Sequence, residues 1–315
     1  MTREDPGPGM TPEEPVTRVA FIGLGHMGGH MCRNVITAGF TVAAYDLDAE
    51  ALARAAADGA RPAESVADCV RDAQVLVTSL PGPPQVEAVL CGPDGAIAAM
   101  APGSLVVDMS TSSLEVGRRA RGAAAAAGMQ FVDAPVAGQT IRAEAGTLSI
   151  YAGGEPEAFA RALPVLEAMG DPQRIFLLGP GGSGYAVKLV LNLTWFIHAV
   201  ATAEALTIGV KAGVDLSRLH TALVASPANS GFLERDVLPL LERGDYDEGF
   251  AMKLVTKDLG LAVDLARDVG VAVELSALVE QIHRRARAAY GDEAGEMSAV
   301  RLYEDLAGVE LRWHG

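Results

Sequence analysis

The stretch "VAFIGLGHMG" (residues 19–28) decides how the chain is read. Its first half is apolar and ends on glycine, as a buried strand does. Its second half sets Gly23, Gly25 and Gly28 in the spacing G-x-G-x-x-G. A helix-like segment follows from about Met27 to Ala38, stopped by Gly39, and "TVAAYD" (41–46) supplies a second strand that ends on Asp46. The glycine spacing alone is weak, because glycine-rich turns are common. Strand, glycine loop, helix, strand and acid in succession are specific for a dinucleotide-binding βαβ unit. The three glycines allow a tight turn, close approach of a pyrophosphate and close helix–sheet packing, and the helix N-terminus favours the phosphates. Leu24, His26 and Met27 are carried beside the cofactor by the same loop, and Asp46 stands where an acid binds both hydroxyls of the adenosine ribose. A 2′-phosphate would meet Asp46 and Asp48 with no arginine beside them, so the expected cofactor is NAD rather than NADP.

Outward from this unit, strands alternate with helices from Arg18 to about Leu178. Further strands are expected at 75–80, 104–109, 130–135 and 146–154, with helices near 49–58, 84–90, 113–127 and 155–169. Such alternation predicts a doubly wound, mainly parallel α/β sheet of the Rossmann type. After "GPGGSG" (179–184) only helical segments follow, near 184–211, 215–224, 231–243, 252–269 and 273–290. The reading is a Rossmann domain over 18–180 and an all-helical domain over 181–315, joined by a long helix. The first 17 residues, acidic and rich in proline and glycine, are expected to be a disordered tail without the order of a signal peptide.

The chain has 315 residues and a net charge of −15, which argues against an electrostatic grip on nucleic acid or an anionic membrane. The segment 184–211 is long enough to raise the question of a membrane span. Lys188, Asn192, His198, Glu204 and Lys211 within it favour a helix buried between domains or subunits, and hence a homodimer or larger assembly. Three cysteines without metal-like pairing predict reduced thiols in a cytoplasmic protein. His26 and His30 share a helical spacing, but no third ligand accompanies them, so no metal is expected.

Of 25 basic residues only four are lysine: Lys188, Lys211, Lys253 and Lys257. Lys188 and Asn192 lie at i and i+4, on one face of an otherwise apolar helix. A snorkelling lysine and a satisfied core asparagine would explain that pattern. So would chemistry. Hydride transfer from an alcohol to NAD needs a base for the hydroxyl proton, and a desolvated lysine titrates toward working pH where an arginine does not.

"FIGLGHMG", "DAPVAG", "GTLSIYAGG", "GSGYAVKLVLN" and "KDLGLA" occur in an order and spacing that resemble those of the β-hydroxyacid dehydrogenases, the 3-hydroxyisobutyrate dehydrogenase group above all. The resemblance runs from about Arg18 to Leu306. It implies reversible, nicotinamide-dependent oxidation of a small 3-hydroxy acid to its aldehyde. It assigns Lys188 as acid/base and Asn192 as its support, and places Leu80, Pro81, Gln85, Thr111 and Lys257 against the cofactor. It gives the loop of Ala137, Gly138 and Gln139 to the substrate's acid group. The family usually has serine, glycine, glycine there, so this chain lacks the hydroxyl and carries an added amide. An extra polar group on the substrate, met by Gln139, is therefore expected. Two other readings remain: an imine reductase of the same architecture, which Lys188 opposes, and a cofactor-bound interaction protein without catalysis.

Overall fold

The computed structural model describes residues 16–246 and 249–313. The elements in chain order are β1 (Arg18–Ile22), α1 (Gly28–Thr37), β2 (Thr41–Tyr45), α2 (Ala49–Ala57), β3 (Arg61–Pro62), α3 (Val66–Val70), β4 (Val75–Thr78), α4 (Pro83–Cys91), α5 (Ala96–Ala99), β5 (Leu105–Asp108), α6 (Leu114–Ala126), β6 (Gln130–Asp133), β7 (Val136–Ala137), α7 (Gln139–Ala145), β8 (Leu148–Ala152), α8 (Pro156–Glu167), β9 (Gly170–Leu177), α9 (Ser183–Lys211), α10 (Leu216–Val224), α11 (Leu238–Arg243), α12 (Met252–Asp268), α13 (Glu274–Tyr290) and α14 (Ser298–Ala307).

Six strands form an all-parallel sheet in the order β3-β2-β1-β4-β5-β6. The order reverses direction between β1 and β4, where open α/β sheets bind their ligands beyond the strand carboxyl ends. Alternate residues of each strand feed opposite faces. Val19, Phe21, Val75, Val77, Leu105 and Val107 pack into one core layer, and Ala20, Ile22, Leu76 and Val106 into the other. Burial on both faces explains why these strands read as unbroken apolar runs. The chain thus has a Rossmann-like sheet followed by an all-helical region.

Several elements depart from the sequence expectation. The strand near 146–154 does not extend the main sheet. It is β8, the centre of a separate sheet β7-β8-β9 in which β7 runs antiparallel. Its partner β9, "GDPQRIFL", was not anticipated, because it is largely exposed and carries charges and Pro172 instead of an apolar alternation. The helix expected at 231–243 is interrupted. A π-helical turn covers Phe232–Asp236 and α11 starts only at Leu238, where Pro239 in its first turn removes one backbone donor. α14 was also not anticipated, although Ala299, Val300 and Leu302 line its buried side. Of the tail assigned to residues 1–17, residues 1–15 lie outside the described residues. Thr17 is not loose: its N–H donates to Gln74 Oε1 at 2.9 Å.

α9 is 29 residues long and, by length and composition, the one described helix apolar enough to cross a membrane. It packs along α12, α13 and α14, and its N-terminal turns meet β6 and β8. Phe196, Val200, Ala203 and Leu206 on it belong to the cores of the helical region.

Candidate active site

The glycine loop closes over the end of β1. Gly23 takes φ +96°, and a Cβ there would stand 2.2 Å from Ser79 O. A Cβ on Gly28 would meet Gly23 O at 1.9 Å, so helix and strand approach as closely as only glycine allows. A Cβ on Gly25 would meet nothing within 4 Å. That open space beside the start of α1 suits a pyrophosphate. Leu24 is buried, His26 is exposed and Met27 stands immediately before α1 without a capping bond from its side chain. Asp46 accepts from Leu24 N at 2.5 Å and from Asp48 N at 2.8 Å, which fixes its carboxylate at the rim of the loop. Donors, space and an acid at these places fit a dinucleotide.

Two further acids end strands. Asp108, fully buried, accepts from Thr78 Oγ1 at 2.7 Å, from Ser110 Oγ and N–H, and from Tyr185 Oη. Burial pushes its carboxyl up, and the four donors oppose that shift. Ser110 Oγ in turn accepts from Leu80 N at 2.9 Å, which places Leu80 and Pro81 at the cleft edge. Asp133 accepts from Gly182 N at 2.6 Å and Tyr185 N at 3.1 Å, so a carboxylate from β6 caps α9. Burial raises its pKa to about 6 against those two bonds. A Cβ on Gly184 would lie 2.3 Å from Tyr151 O. Glycine there lets α9 dock on the sheets, with Lys188 one turn inside.

Lys188 and Asn192 follow on the face of α9 turned to α12. Asn192 Nδ2 donates to Asp258 Oδ2 at 2.7 Å. Asp258 is buried, and its Oδ1 lies 3.0 Å from Lys257 Nζ as an ion pair without hydrogen-bond geometry. Lys257 reaches across the cleft and donates to Pro81 O at 2.7 Å and, more weakly, toward Thr111 O at 3.4 Å. Gln85 is exposed on α4 beside it: a Cβ on Gly82 would meet Lys257 Cδ at 3.0 Å and Gln85 Oε1 at 3.9 Å. Lys188 itself keeps some access to solvent but is crowded by protein, and among the described residues its ammonium has no hydrogen-bond partner. Desolvation lowers its pKa first and the Lys257 charge adds to this, while Asp258 and Glu296 pull the other way.

The loop from β7 to α7 holds Ala137, Gly138 and Gln139. Gly138 has φ +133°, and Gln139, at φ +57°, is the one described non-glycine residue with positive φ. Its Nε2 donates to Glu296 Oε1 at 3.1 Å. The structure therefore brings Lys188, Asn192, Lys257, Pro81 and Thr111 together, and joins Gln139 to a residue the sequence had not singled out. Asp108, Asp133, Tyr185, Asp258 and Glu296 were all missed. Asp108 and Asp133 had a signal, since each ends an apolar strand as Asp46 nearly does. Glu296 had none.

Comparison with known proteins agrees with this geometry. The family described as the NAD binding domain of 6-phosphogluconate dehydrogenase matches residues 18–179, and the one described as NAD-binding of NADP-dependent 3-hydroxyisobutyrate dehydrogenase matches residues 182–303. A 2-(hydroxymethyl)glutarate dehydrogenase of Eubacterium barkeri is 36% identical over 95% of this chain and 98% of its own length. A 3-hydroxyisobutyrate dehydrogenase of Pseudomonas aeruginosa is 39% identical over 85% of this chain and 91% of its own. Among solved structures, the 3-hydroxyisobutyrate dehydrogenase of Mycobacterium tuberculosis with L-serine superposes with a TM-score of 0.85 at 31% identity, covering 91% of this chain and 99% of that one.

Proposed function

This chain belongs to the β-hydroxyacid dehydrogenase family and is an NAD(P)-dependent hydroxyacid dehydrogenase, and we propose that it oxidises a small 3-hydroxy acid to its aldehyde with Lys188 as the base. The observation that carries this reading is a desolvated lysine without a hydrogen-bond partner among the described residues, set between the glycine-loop sheet and α12. Gly23, Gly25 and Gly28 of the glycine loop, with Asp46 at its rim, would hold a nicotinamide cofactor, which would supply the hydride acceptor for the carbinol carbon. The neutral amine of Lys188 takes the hydroxyl proton, and in the reverse direction its ammonium returns it. Burial favours the neutral amine, so a base is available nearer neutral pH than a free lysine allows. Asn192, one turn from Lys188, is tied by its amide to Asp258 and so held in place. Lys257 fixes the distance between α12 and the loops after β4 and β5, which limits water around the reacting atoms. Backbone N–H groups at 138 and 139 receive the substrate's carboxylate, since Ala137 offers no hydroxyl.

Asp46 supports NAD over NADP, because a 2′-phosphate would face its carboxylate and the exposed Leu47 in place of an arginine. Apolar residues exposed on α9, including Val190 and Ile208, support self-association into a dimer or larger assembly, which light scattering tests. Initial rates over 3-hydroxy acids, β-hydroxy amino acids and the matching aldehydes, with NAD and NADP in parallel, test the whole reading. Reduction of neither cofactor by any hydroxy acid overturns it.

A further inference from the structure

Glu296 stands on the loop before α14, and only 6% of it is exposed. Its Oε1 accepts from Gln139, and no described residue hydrogen-bonds its Oε2. One observation sets this carboxyl beside the substrate loop: Gln139, its hydrogen-bond donor, belongs to the loop that the dehydrogenase reading gives to the substrate's acid group. A Cβ on Gly249 would meet Glu296 Oε1 at 2.7 Å and Gln139 Nε2 at 3.2 Å, so the pair packs directly against the Gly249 backbone. Gln139 also adopts a backbone conformation that costs a non-glycine residue energy, and its bond to Glu296 offsets that cost.

The chemistry of the pair is one-sided. Gln139 spends an N–H on Glu296, and its own carbonyl oxygen has no partner among the described residues. Burial, reinforced by the Asp236 charge, pushes the Glu296 carboxyl up to about 8, while Gln139 and Lys188 work against that shift. Such a site is short of positive charge. An ammonium relieves it and converts the carboxyl to carboxylate, a hydroxyl can bond to either form, a methyl leaves Oε2 bare, and a second carboxylate adds negative charge to a site already short of cations.

We propose that Glu296 and Gln139 form the subsite for the substituent on C2 of the substrate, and that this subsite selects a hydrogen-bond donor, an ammonium or a hydroxyl, over a methyl or a carboxylate-bearing arm. The proposal rests on the dehydrogenase reading above. It separates this chain from a relative that takes 2-(hydroxymethyl)glutarate and from one named for 3-hydroxyisobutyrate.

The test compares L-serine, D-glycerate, 3-hydroxyisobutyrate and 2-(hydroxymethyl)glutarate on wild type, Glu296→Gln and Glu296→Asp. Initial rates give kcat/KM, and calorimetry on the cofactor-loaded protein gives the Kd of L-serine. In wild type, serine or glycerate should exceed the other two by about 10-fold in kcat/KM, and which of them leads identifies ammonium or hydroxyl as the group bound. Glu296→Gln should weaken serine by roughly 10- to 100-fold in both kcat/KM and Kd, the range of a charge-assisted bond, and lower the serine-to-3-hydroxyisobutyrate ratio of kcat/KM by about tenfold. Glu296→Asp keeps the charge and should retain the order of substrates, which separates recognition from a folding defect. An equal fall on all four acids, or a wild-type preference for the methyl or dicarboxylate substrate, overturns the subsite and leaves the dehydrogenase reading standing. Absence of turnover on every acid ends both.

Discussion

The acids that end the strands of the main sheet and the charges that line the helical side of the cleft are treated differently. Asp108 accepts four hydrogen bonds, and Asp133 accepts two backbone N–H groups and caps α9. Across the cleft, Glu296 accepts one bond and Lys188 makes none among the described residues. A fully bonded buried carboxylate rigidifies its surroundings, whereas a sparsely bonded one costs stability unless a ligand completes it. On the proposed reading the contrast separates scaffold from chemistry, with the sheet side positioning and the helical side reacting and selecting.

The largest effect expected from breaking this contrast is on turnover. Lys188→Arg keeps a charge but releases no proton, and Lys188→Met removes both. Each should lower kcat by roughly 10²–10⁴-fold with little change in cofactor affinity. Because the wild-type ammonium is under-partnered, Lys188→Met should not lower the melting temperature. Near wild-type turnover in Lys188→Arg would move proton transfer to another group.

On the scaffold side the signature reverses. Asp108→Ala strands the hydroxyls of Thr78, Ser110 and Tyr185 in the core, and denaturant unfolding should show a loss of roughly 2–5 kcal/mol. A loss below about 0.5 kcal/mol, typical of surface changes, would mean that this network is not structural.

His283 tests whether sparse bonding carries a cost away from the cleft. It is buried, Nδ1–H donates to Val279 O at 2.8 Å, and Nε2 has no partner among the described residues. Burial depresses its pKa to about 4, from 6.5 for a free imidazole. The unfolded chain therefore binds the proton first as pH falls. His283 leaves stability untouched above pH 6.5 and lowers it progressively between 6.5 and 4. Wild type should lose roughly 2–3 kcal/mol more than His283→Gln between pH 7.5 and about 4.5. Equal losses in the two proteins would show that another group sets acid sensitivity.

The smallest effect concerns the rim of the glycine loop. Asp46→Ala with Leu47→Arg should move the ratio of kcat/KM for NAD and NADP toward NADP by about tenfold, the worth of one charge-assisted contact. A wild-type preference for NADP would remove the premise.

Much of the sheet side was legible. Each of β1, β2, β4, β5 and β6 is a local apolar run, and buried parallel strands look alike wherever they occur. The glycine fingerprint needs only its own loop, helix and next strand. Lys188 and Asn192 were legible as a pair because helical spacing sets them on one face. β9 was not, since an exposed strand held by its neighbour's backbone needs no apolar pattern. Gln139 was noticed only as a departure from the family's glycine, and its partner was out of reach.

Local order along the chain was enough to specify a dinucleotide fold, an acid just after its second strand and a lysine on an apolar helix, because each rests on residues within a turn or a strand of one another. Which groups complete the site was decided by packing. Asn192 and Asp258 lie 66 residues apart, and Gln139 and Glu296 lie 157 apart. No spacing rule connects such pairs. They meet because α12 packs along α9 and because the loop before α14 folds back beside α7, and the loss of solvent at that meeting point gives Lys188 and Glu296 properties that neither has in an extended chain.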